Sequence, residues 1–592
     1  MSADTPPVIP SSLQIYNSYV EDPKWQTKFT VVWCSVLGLA VVTSLPSLVL
    51  SLRSGRLFKG LLGVSEDLQR RGYTTPTNDG VLPPPSSRKI SKFWFSLLSV
   101  RQWSLPFFEL NAGQIFILAS YLAVTLVCII QDAPLVSNPN RAGFLALAQL
   151  PVVFLFATKN SILSLLLGPG NGYEKLNFIH RMAGRVMFLA AGIHGSLWIR
   201  NHLEYGLPIL GPQKETSGVA SFTLLCIIVL SSLRPVRRLF YEFFFLVHVL
   251  IFVAFFITVC YHTIYASPWI FPPLAFYGAD LLLRMLRYRF KDATLIAQDE
   301  FITMVHVNDC DDGWLAGQHV RLRVFFSGRV LESHPLTILS APPSRSCLSN
   351  PGMILGARVN GDWTRALNDF TRKEQERLRA LDVPMENVSV PALVMLDGPY
   401  GGSSVDLGQF ESALLVAGGS GITFTLGLLD DIVGRCAKLG RPGGERTRRI
   451  EFAWCIRSFG HIAWFAPMLM DIANTASRSS LYLHISIFVT CLCDTESIVH
   501  IPNCDVIMAR PKVDGLLWDL TNPASSSASS VEEQAEKSTT QSDWVGRGGG
   551  VAVCASGPES LTTAAQNAVA RLGLSRGIEL GGVAIHVERF SL

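Results

Sequence analysis

Apolar residues are unevenly spread along this chain: runs of about twenty, the length that crosses a bilayer, crowd the positions before residue 290 and then stop. Seven such runs, at 29–51, 112–131, 143–167, 177–199, 218–234, 241–263 and 268–287, each predict a membrane helix. The polar start with Pro6, Pro7 and Pro10 lacks the pattern of a cleavable signal, so the first run reads as an anchor that stays on the protein. Past residue 290 the period shortens. ATLIAQ, FITMVHV, HVRLRVFF and HPLTILS alternate apolar and polar positions between 292 and 390, as the strands of a small β-barrel do. SALLVAGGSGIT then runs a buried strand into glycines and a helix, and RIEFAWCIRS and VAVCASGPESL supply further strands of an α/β unit. The Ser-, Glu- and Gly-rich stretch 522–550 predicts a disordered insertion in that unit. The fold class is therefore an α-helical membrane bundle of about seven spans, followed by a β-barrel and an α/β domain. Its expected divisions are an N-terminal segment 1–28, the anchor 29–51, a basic loop 52–111, a membrane domain 112–290, a barrel 291–395 and an α/β domain 396–592.

Charge sets the orientation. Only 16% of the 592 residues are charged, against about a quarter in a soluble protein. Arg53, Arg56, Lys59, Arg70, Arg71, Arg88, Lys89, Lys92 and Arg101 follow the first run, Arg234, Arg237 and Arg238 lie between the fifth and sixth, and Arg284, Arg287, Arg289 and Lys291 follow the seventh. With seven crossings all three groups share one side, which the positive-inside rule makes the cytosol. The N-terminus is then outside, and everything beyond 290 is cytosolic. A net charge of +4 without a long basic tract excludes a nucleic-acid partner. The twelve cysteines are scattered, and Cys491-Leu-Cys493 lacks the second pair of a zinc site.

Two runs carry two histidines each, with the same spacing of fourteen: His180 and His194 in one, His248 and His262 in the other. Fourteen helical residues rise about 21 Å and fall about 40° short of four turns, so each pair shares a helix face. The two helices run the same way, which sets His180 opposite His248 and His194 opposite His262. Histidines 21 Å apart cannot share one metal ion. Two facing pairs can each clamp a flat macrocycle, and bis-histidine haem suits electron transfer because no iron position stays open. A proton relay through the same imidazoles is the alternative.

His180-Arg181-x-x-Gly184-Arg185 followed by His194, and Glu242 with His248 and His262, resemble the ferric reductase domain shared by fungal ferric reductases and NADPH oxidases. The resemblance implies a six-span core holding two b-type haems, with these histidines as axial ligands. Gly317-Gln-His-Val320 and His334-Pro335-Leu336-Thr337 resemble the FAD-binding barrel of ferredoxin-reductase-like enzymes, with Leu336 where Phe is usual. By the same likeness Thr337 lies near the reactive flavin nitrogen, and His334 and Pro335 near the ring or its phosphoribityl chain. Gly398-Pro399-Tyr400-Gly401, the turn Gly418-Gly419-Ser420-Gly421, Arg457, Cys554 and Gly557-Pro558 resemble the NADPH-binding elements of those enzymes. The glycine turn takes the pyrophosphate at a helix N-terminus, Arg457 the 2′-phosphate, and Cys554 the nicotinamide. Phe590, two residues from the end, is the candidate for the aromatic side chain stacked on the flavin.

The resemblance implies electron transfer from cytosolic NADPH through FAD and two haems to an external acceptor. Both histidine pairs are spaced fourteen and an extra span precedes the core, as in fungal ferric reductases, which makes chelated ferric iron, with cupric ion beside it, the expected acceptor. It also implies a plasma-membrane location, with vacuolar relatives, and a functional link to an iron permease. The alternatives are a superoxide-producing NADPH oxidase and, from another class, a transporter or proton channel with a regulatory nucleotide domain.

Overall fold

The computed structural model describes residues 16–66, 89–105, 110–381, 388–491, 500–522 and 548–590. Most of the expected insertion 522–550 lies outside the described residues.

Eleven helices make up the first half of the described chain: α1 Ser18–Arg53, α2 Lys89–Val100, α3 Ala112–Ile130, α4 Asn140–Ala148, α5 Leu150–Leu155, α6 Ile162–Leu167, α7 Tyr173–Glu204, α8 Gln213–Ser231, α9 Arg234–Leu239, α10 Tyr241–His262 and α11 Ser267–Arg287. Among the described residues five of them, α1, α3, α7, α8 and α10, are long and apolar enough to cross a membrane. The single span expected at 143–167 is corrected. It breaks into α4, α5 and α6, because Pro151 in the first turn of α5 cannot donate a backbone hydrogen bond, and Lys159 and Asn160 interrupt the apolar run before Ser161 caps α6. α11 covers the seventh run but carries Pro272, Pro273, Asp280, Arg284 and Arg287, and stands outside the five. α1 starts ahead of its apolar run because Asn17 caps it, accepting from the Tyr19 N–H. The bundle core closes on Phe154 of α5, whose ring lies 5.4 Å from Phe252 and 5.2 Å from Phe256 of α10 and 6.4 Å from Tyr277 of α11.

The barrel comprises β1 Arg289–Ala297, β2 Ile302–Val307, β3 Gln318–Val324, β4 His334–Thr337, β5 Met353–Arg358, helix α12 Asp362–Arg379 and β6 Val390–Gly401. Its strands pair antiparallel in the order β4-β3-β6-β1-β2-β5, and a bridge from Ile338 to Leu355 brings the edges together, so the sheet nearly closes. Burial along β3 alternates residue by residue, as its sequence does. The third unit holds β7 Ser412–Gly418, α13 Ile422–Val433, β8 Arg449–Ile456, α14 Ala466–Ser477, β9 Tyr482–Val489, β10 Cys504–Ile507, α15 Val513–Thr521, β11 Val551–Gly557, α16 Glu559–Glu579 and β12 Val583–Arg589. These strands are parallel in the order β10-β9-β8-β7-β11-β12. β7 and β11, central and covered on both faces, are buried along their whole length, which is why they read as unbroken apolar runs.

The chain after α1 ties these parts together. Arg56 pairs with Asp406 at 3.1 Å, Lys59 pairs with Asp312, and Ser65 forms a strand-like bridge to Asp312. Arg287 and Arg289, where α11 passes into the barrel, donate to the carbonyls of Leu61 and Leu62 at 2.8 and 2.9 Å. α2 lies against the α/β unit, its Phe95 ring 5.4 Å from Phe410.

Candidate functional site

α7 and α10 bring the four bundle histidines together as two facing pairs. The ring centroids of His180 and His248 lie 6.3 Å apart, with 67° between ring planes, and those of His194 and His262 lie 6.1 Å apart with 69°. Three Nδ1 atoms meet backbone carbonyls: His180 at Val153 (2.8 Å), His194 at Pro139 (3.0 Å) and His262 at Lys214 (2.8 Å). A carbonyl only accepts, so each Nδ1 carries the proton and the Nε2 lone pair is left free. His248 Nδ1 lies 3.1 Å from the Ser232 hydroxyl, which spends its own proton on the Ile228 carbonyl, so the same tautomer follows there. Four neutral imidazoles with free Nε2 atoms are what metal ligation needs. Among the described residues no cluster of three or more His, Cys, Asp or Glu gathers where a metal ion could sit.

Sequence reading missed the supports of these histidines. A Cβ on Gly143 would lie 3.0 Å from His194 Nδ1, and one on Gly218 would lie 2.8 Å from the His262 ring, so two glycines give the outer pair its room. The carbonyls of Pro139, Val153 and Lys214 leave no mark in the sequence at all.

In the barrel, β4 presents the His334–Thr337 segment against β3, with His319 opposite Thr337 and Arg321 opposite Pro335. His334 stacks on Trp363 at 4.3 Å and sits 3.5 Å from Glu332. Burial holds its imidazole below the usual histidine range. Leu336 turns into the barrel core.

In the α/β unit the two glycine-bearing turns touch. A Cβ on Gly421 would stand 2.2 Å from the Ser556 carbonyl oxygen, and one on Gly418 2.7 Å from Pro558, so the turn after β7 packs directly on the turn after β11. Gly557, at φ 144°, faces Gly418 at backbone contact, and Phe590 N donates to the Gly557 carbonyl at 3.4 Å. Phe590 is thus held beside Gly557 and Pro558 with its ring exposed. Cys554 is buried, with Ser403 Oγ 3.9 Å from its sulfur. Burial pushes the thiol up to about 12, so it is a neutral S–H and no nucleophile at physiological pH. The Gly398–Pro399 peptide is cis, and Gly398 lies beside the Tyr400 ring at the end of β6. Arg457 follows β8, and its charge, after burial, lowers the basicity of Arg358 at the end of β5. Arg358 Nη1 would lie 3.1 Å from a Cβ on Gly419. Two guanidinium groups and the Gly419 turn therefore converge, a combination suited to phosphate oxygens. Arg358 carries no motif and was invisible in the sequence.

Residues 142–259 match the family described as ferric reductase like transmembrane component, residues 287–404 an FAD-binding domain, and residues 410–570 the ferric reductase NAD binding domain. His180, His194 and His248 fall within the first match; His262 lies three residues past its end, and Phe590 twenty past the end of the last. The chain is 27% identical over 354 residues to ferric reductase transmembrane component 3 of Saccharomyces cerevisiae, covering 58% of this chain and 46% of that protein. It is 26% identical to component 6 of the same yeast, covering 59% and 47%, and 26% identical to ferric reductase transmembrane component 1 of Schizosaccharomyces pombe, covering 59% and 64%. The chain spans about half the length of the Saccharomyces relatives. A ferredoxin NADP+ reductase structure from Neisseria gonorrhoeae is matched over 50% of this chain and 98% of its own at 13% identity, with a TM-score of 0.29.

Proposed function

We propose that this chain, a ferric-reductase-like transmembrane, FAD- and NAD-binding superfamily protein, carries electrons from cytosolic NADPH across the membrane to a chelated ferric ion outside. The observation that carries the reading is the pair of facing imidazoles repeated at two depths, 6.3 and 6.1 Å between centroids. Two metal–imidazole bonds of about 2 Å plus two ring half-widths come to about 6 Å, so each pair has room for one metal between its Nε2 atoms. Each pair offers only two nitrogen ligands, which fits a metal already held in a planar macrocycle. No C-x-x-C-H attachment motif occurs, so the residues fit two non-covalent b-type haems. What flavin and haem supply, once bound, is the conversion of a two-electron donor into one-electron carriers.

The chain's own residues bind and orient. Gly418, Gly419, Ser420 and Gly421 open the N-terminus of α13 to a pyrophosphate, with Arg358 beside the turn as its cationic partner and Arg457 for the 2′-phosphate. Gly398, Pro399, Cys554, Gly557 and Pro558 frame the nicotinamide, and Phe590 screens the flavin. His334, Pro335 and Thr337 line the FAD side, with Leu336, where the sequence placed a fourth contact, packed beneath them in the barrel core. An inside-negative potential favours outward electron movement by about 2.3 kcal/mol per charge per 100 mV. The plasma membrane, with the N-terminus outside and a functional link to an iron permease, completes the reading.

Reduced-minus-oxidised spectra of the purified protein test the haem assignment. A b-type signal that is lost in part in His180→Ala and in His262→Ala supports it, and no signal, or one unchanged in both variants, overturns it in favour of a transporter or proton channel. Iron-stimulated NADPH oxidation that resists superoxide dismutase supports the ferric acceptor. Dye reduction without iron that dismutase abolishes makes the chain an oxidase instead.

A further inference from the structure

The cytosolic start of α7 touches both soluble units at once. Gly170, two residues ahead of the α7 cap, has φ 76° and lies so close to the backbone of Ser403 and Ser404 that a Cβ there would come within 2.2 Å of Ser404 N. In the first turn, Glu174 Oε1 lies 3.5 Å from His319 Nε2 of β3, and its carboxyl carbon would be 3.7 Å from a Cβ on Gly401. The next residue reaches the other unit: Lys175 Nζ donates to the Val587 carbonyl and lies 3.8 Å from Glu588 Oε2.

The strand it reaches is the one whose position matters. Among the described strands β12 is the edge of the parallel sheet and pairs with β11 alone. It carries Val587 and Glu588, and Phe590 follows directly. An edge strand has backbone groups without strand partners, and Lys175 takes up one of them. On the same strand, buried His586 stacks on Phe424 of α13 at 5.3 Å and accepts from Ser404 N at 3.1 Å. That acceptance places its proton on Nε2, 3.5 Å from Glu588 Oε2. Ser404 in turn is the residue pressed by Gly170. The contact is therefore a closed loop, running from the start of α7 through Lys175, Glu588, His586 and Ser404 back to Gly170, with His180 on the second turn of the same helix.

We propose that Lys175 is a positioning residue: it fixes β12 and the Phe590 tail against the first turn of the helix that bears His180 and His194. Holding the nicotinamide-side strand on the same rigid helix as the inner imidazole sets the separation between the two ends of the cytosolic electron path. The inference rests on the function proposed above.

The test uses full-length protein in detergent, comparing wild type with Lys175→Met, which keeps the aliphatic stem, and Lys175→Arg, which keeps the charge. Anaerobic stopped flow with NADPH reads flavin bleaching and haem reduction separately, and hydrogen exchange reads residues 583–590 independently of turnover. In Lys175→Met, flavin bleaching is expected to stay within about twofold of wild type and haem reduction to slow by about tenfold or more, the scale on which small misplacements act. Exchange across 583–590 should quicken, and Lys175→Arg should restore both. Unchanged exchange at 583–590 overturns the proposal, as does haem reduction at the wild-type rate or an equal fall in flavin bleaching. A wild-type protein without a b-type spectrum sinks the function proposed above, and the exchange result still decides the contact.

Discussion

Each bundle histidine donates its Nδ1–H to an oxygen close at hand, and at the outer pair glycine makes this geometry possible. A Cβ on Gly218 would stand 2.8 Å from His262 Nδ1, whereas one on Gly184, on the same helix as His194, would meet nothing within 4 Å. Gly218→Val is therefore expected to push the His262 ring aside and, on the function proposed above, to remove about half of the b-type absorbance per mole of protein, the share of one of two sites. Gly184→Ala should leave the spectrum unchanged. In the α/β unit, Gly421→Ala sets a Cβ against the Ser556 backbone, which cannot swing away as a side chain does. An overpacked site of this kind costs about 1–3 kcal/mol, and the melting temperature of the variant should fall. His586 adds a pH dependence. Burial, followed by the Lys175 charge, holds it down at about 4, so the unfolded chain binds its proton first as pH falls. Its contribution to stability is complete above about pH 6.5 and is lost as pH drops toward 4. Glu588 shifts in the opposite direction from its burial: burial raises it, but Lys175 and then His586 outweigh that and leave it at about 2. The stability it contributes is present above about pH 4.5 and disappears only as pH falls toward 2. Melting curves of wild type and His586→Gln between pH 7 and 4 should converge as pH falls, because the variant lacks the first of these two losses.

At the scale of elements, period and run length made most of the architecture legible. α3, α7, α8 and α10 lie where apolar runs of bilayer length lie, and the alternation of β3 and the unbroken apolar character of β7 survive as burial patterns. The break at α4–α6 was legible only in part: Pro151, Lys159 and Asn160 are visible in the chain, but their weight depends on Phe154 and its aromatic neighbours holding α5 in place. Of the candidate site, the histidine spacing and the glycine turns stood out because identity and interval carry them. The oxygens that orient the imidazoles, and Arg358, did not, since a backbone carbonyl has no residue code and a lone arginine no interval. One inter-helix contact of this unreadable kind is the buried pair Arg141–Asp22, which joins α4 to α1 at 2.6 Å. Arg141 also donates to the carbonyls of Cys128 and Gln131 at 3.2 Å. With 1% and 0% of the two side chains exposed, removing one partner strands the other's charge. Asp22→Ala is expected to cost about 3–5 kcal/mol, read as a lower melting temperature in detergent. Replacing both residues by apolar ones should cost much less than Asp22→Ala alone.

For the molecule as a whole, the question is how a membrane bundle keeps hold of two soluble units joined to it by one polypeptide. Part of the answer is the segment after α1, which crosses the barrel through Lys59, Ser65 and Glu66 and reaches the α/β side through Arg56. Arg56 ends on Asp406, which it shares with Arg435 at 2.9 Å. Burial alone would raise the Asp406 carboxyl, but Arg56 and then Arg435 hold it well below the usual carboxylate range, so it is ionised whenever the protein is folded. The two arginines are not equivalent. Arg435 also meets Asp431 at 3.0 Å and Glu445 at 3.4 Å, so it serves three carboxylates where Arg56 serves one, while Arg345 stands 3.4 Å from the other oxygen of Asp431. Removing Arg435 takes a cation from Asp406, Asp431 and Glu445 together and leaves Asp431 to Arg345, whereas removing Arg56 leaves Asp406 still paired with Arg435. Arg435→Ala is expected to cost about 3–5 kcal/mol and Arg56→Ala about 1–2 kcal/mol, the range of one charged hydrogen bond. Their combination should cost more than the sum, because only then does Asp406 lose both partners. A double-mutant cycle by thermal denaturation of the full chain checks the order, and a larger cost for Arg56→Ala than for Arg435→Ala would show that the strap, not the internal cluster, carries the carboxylate.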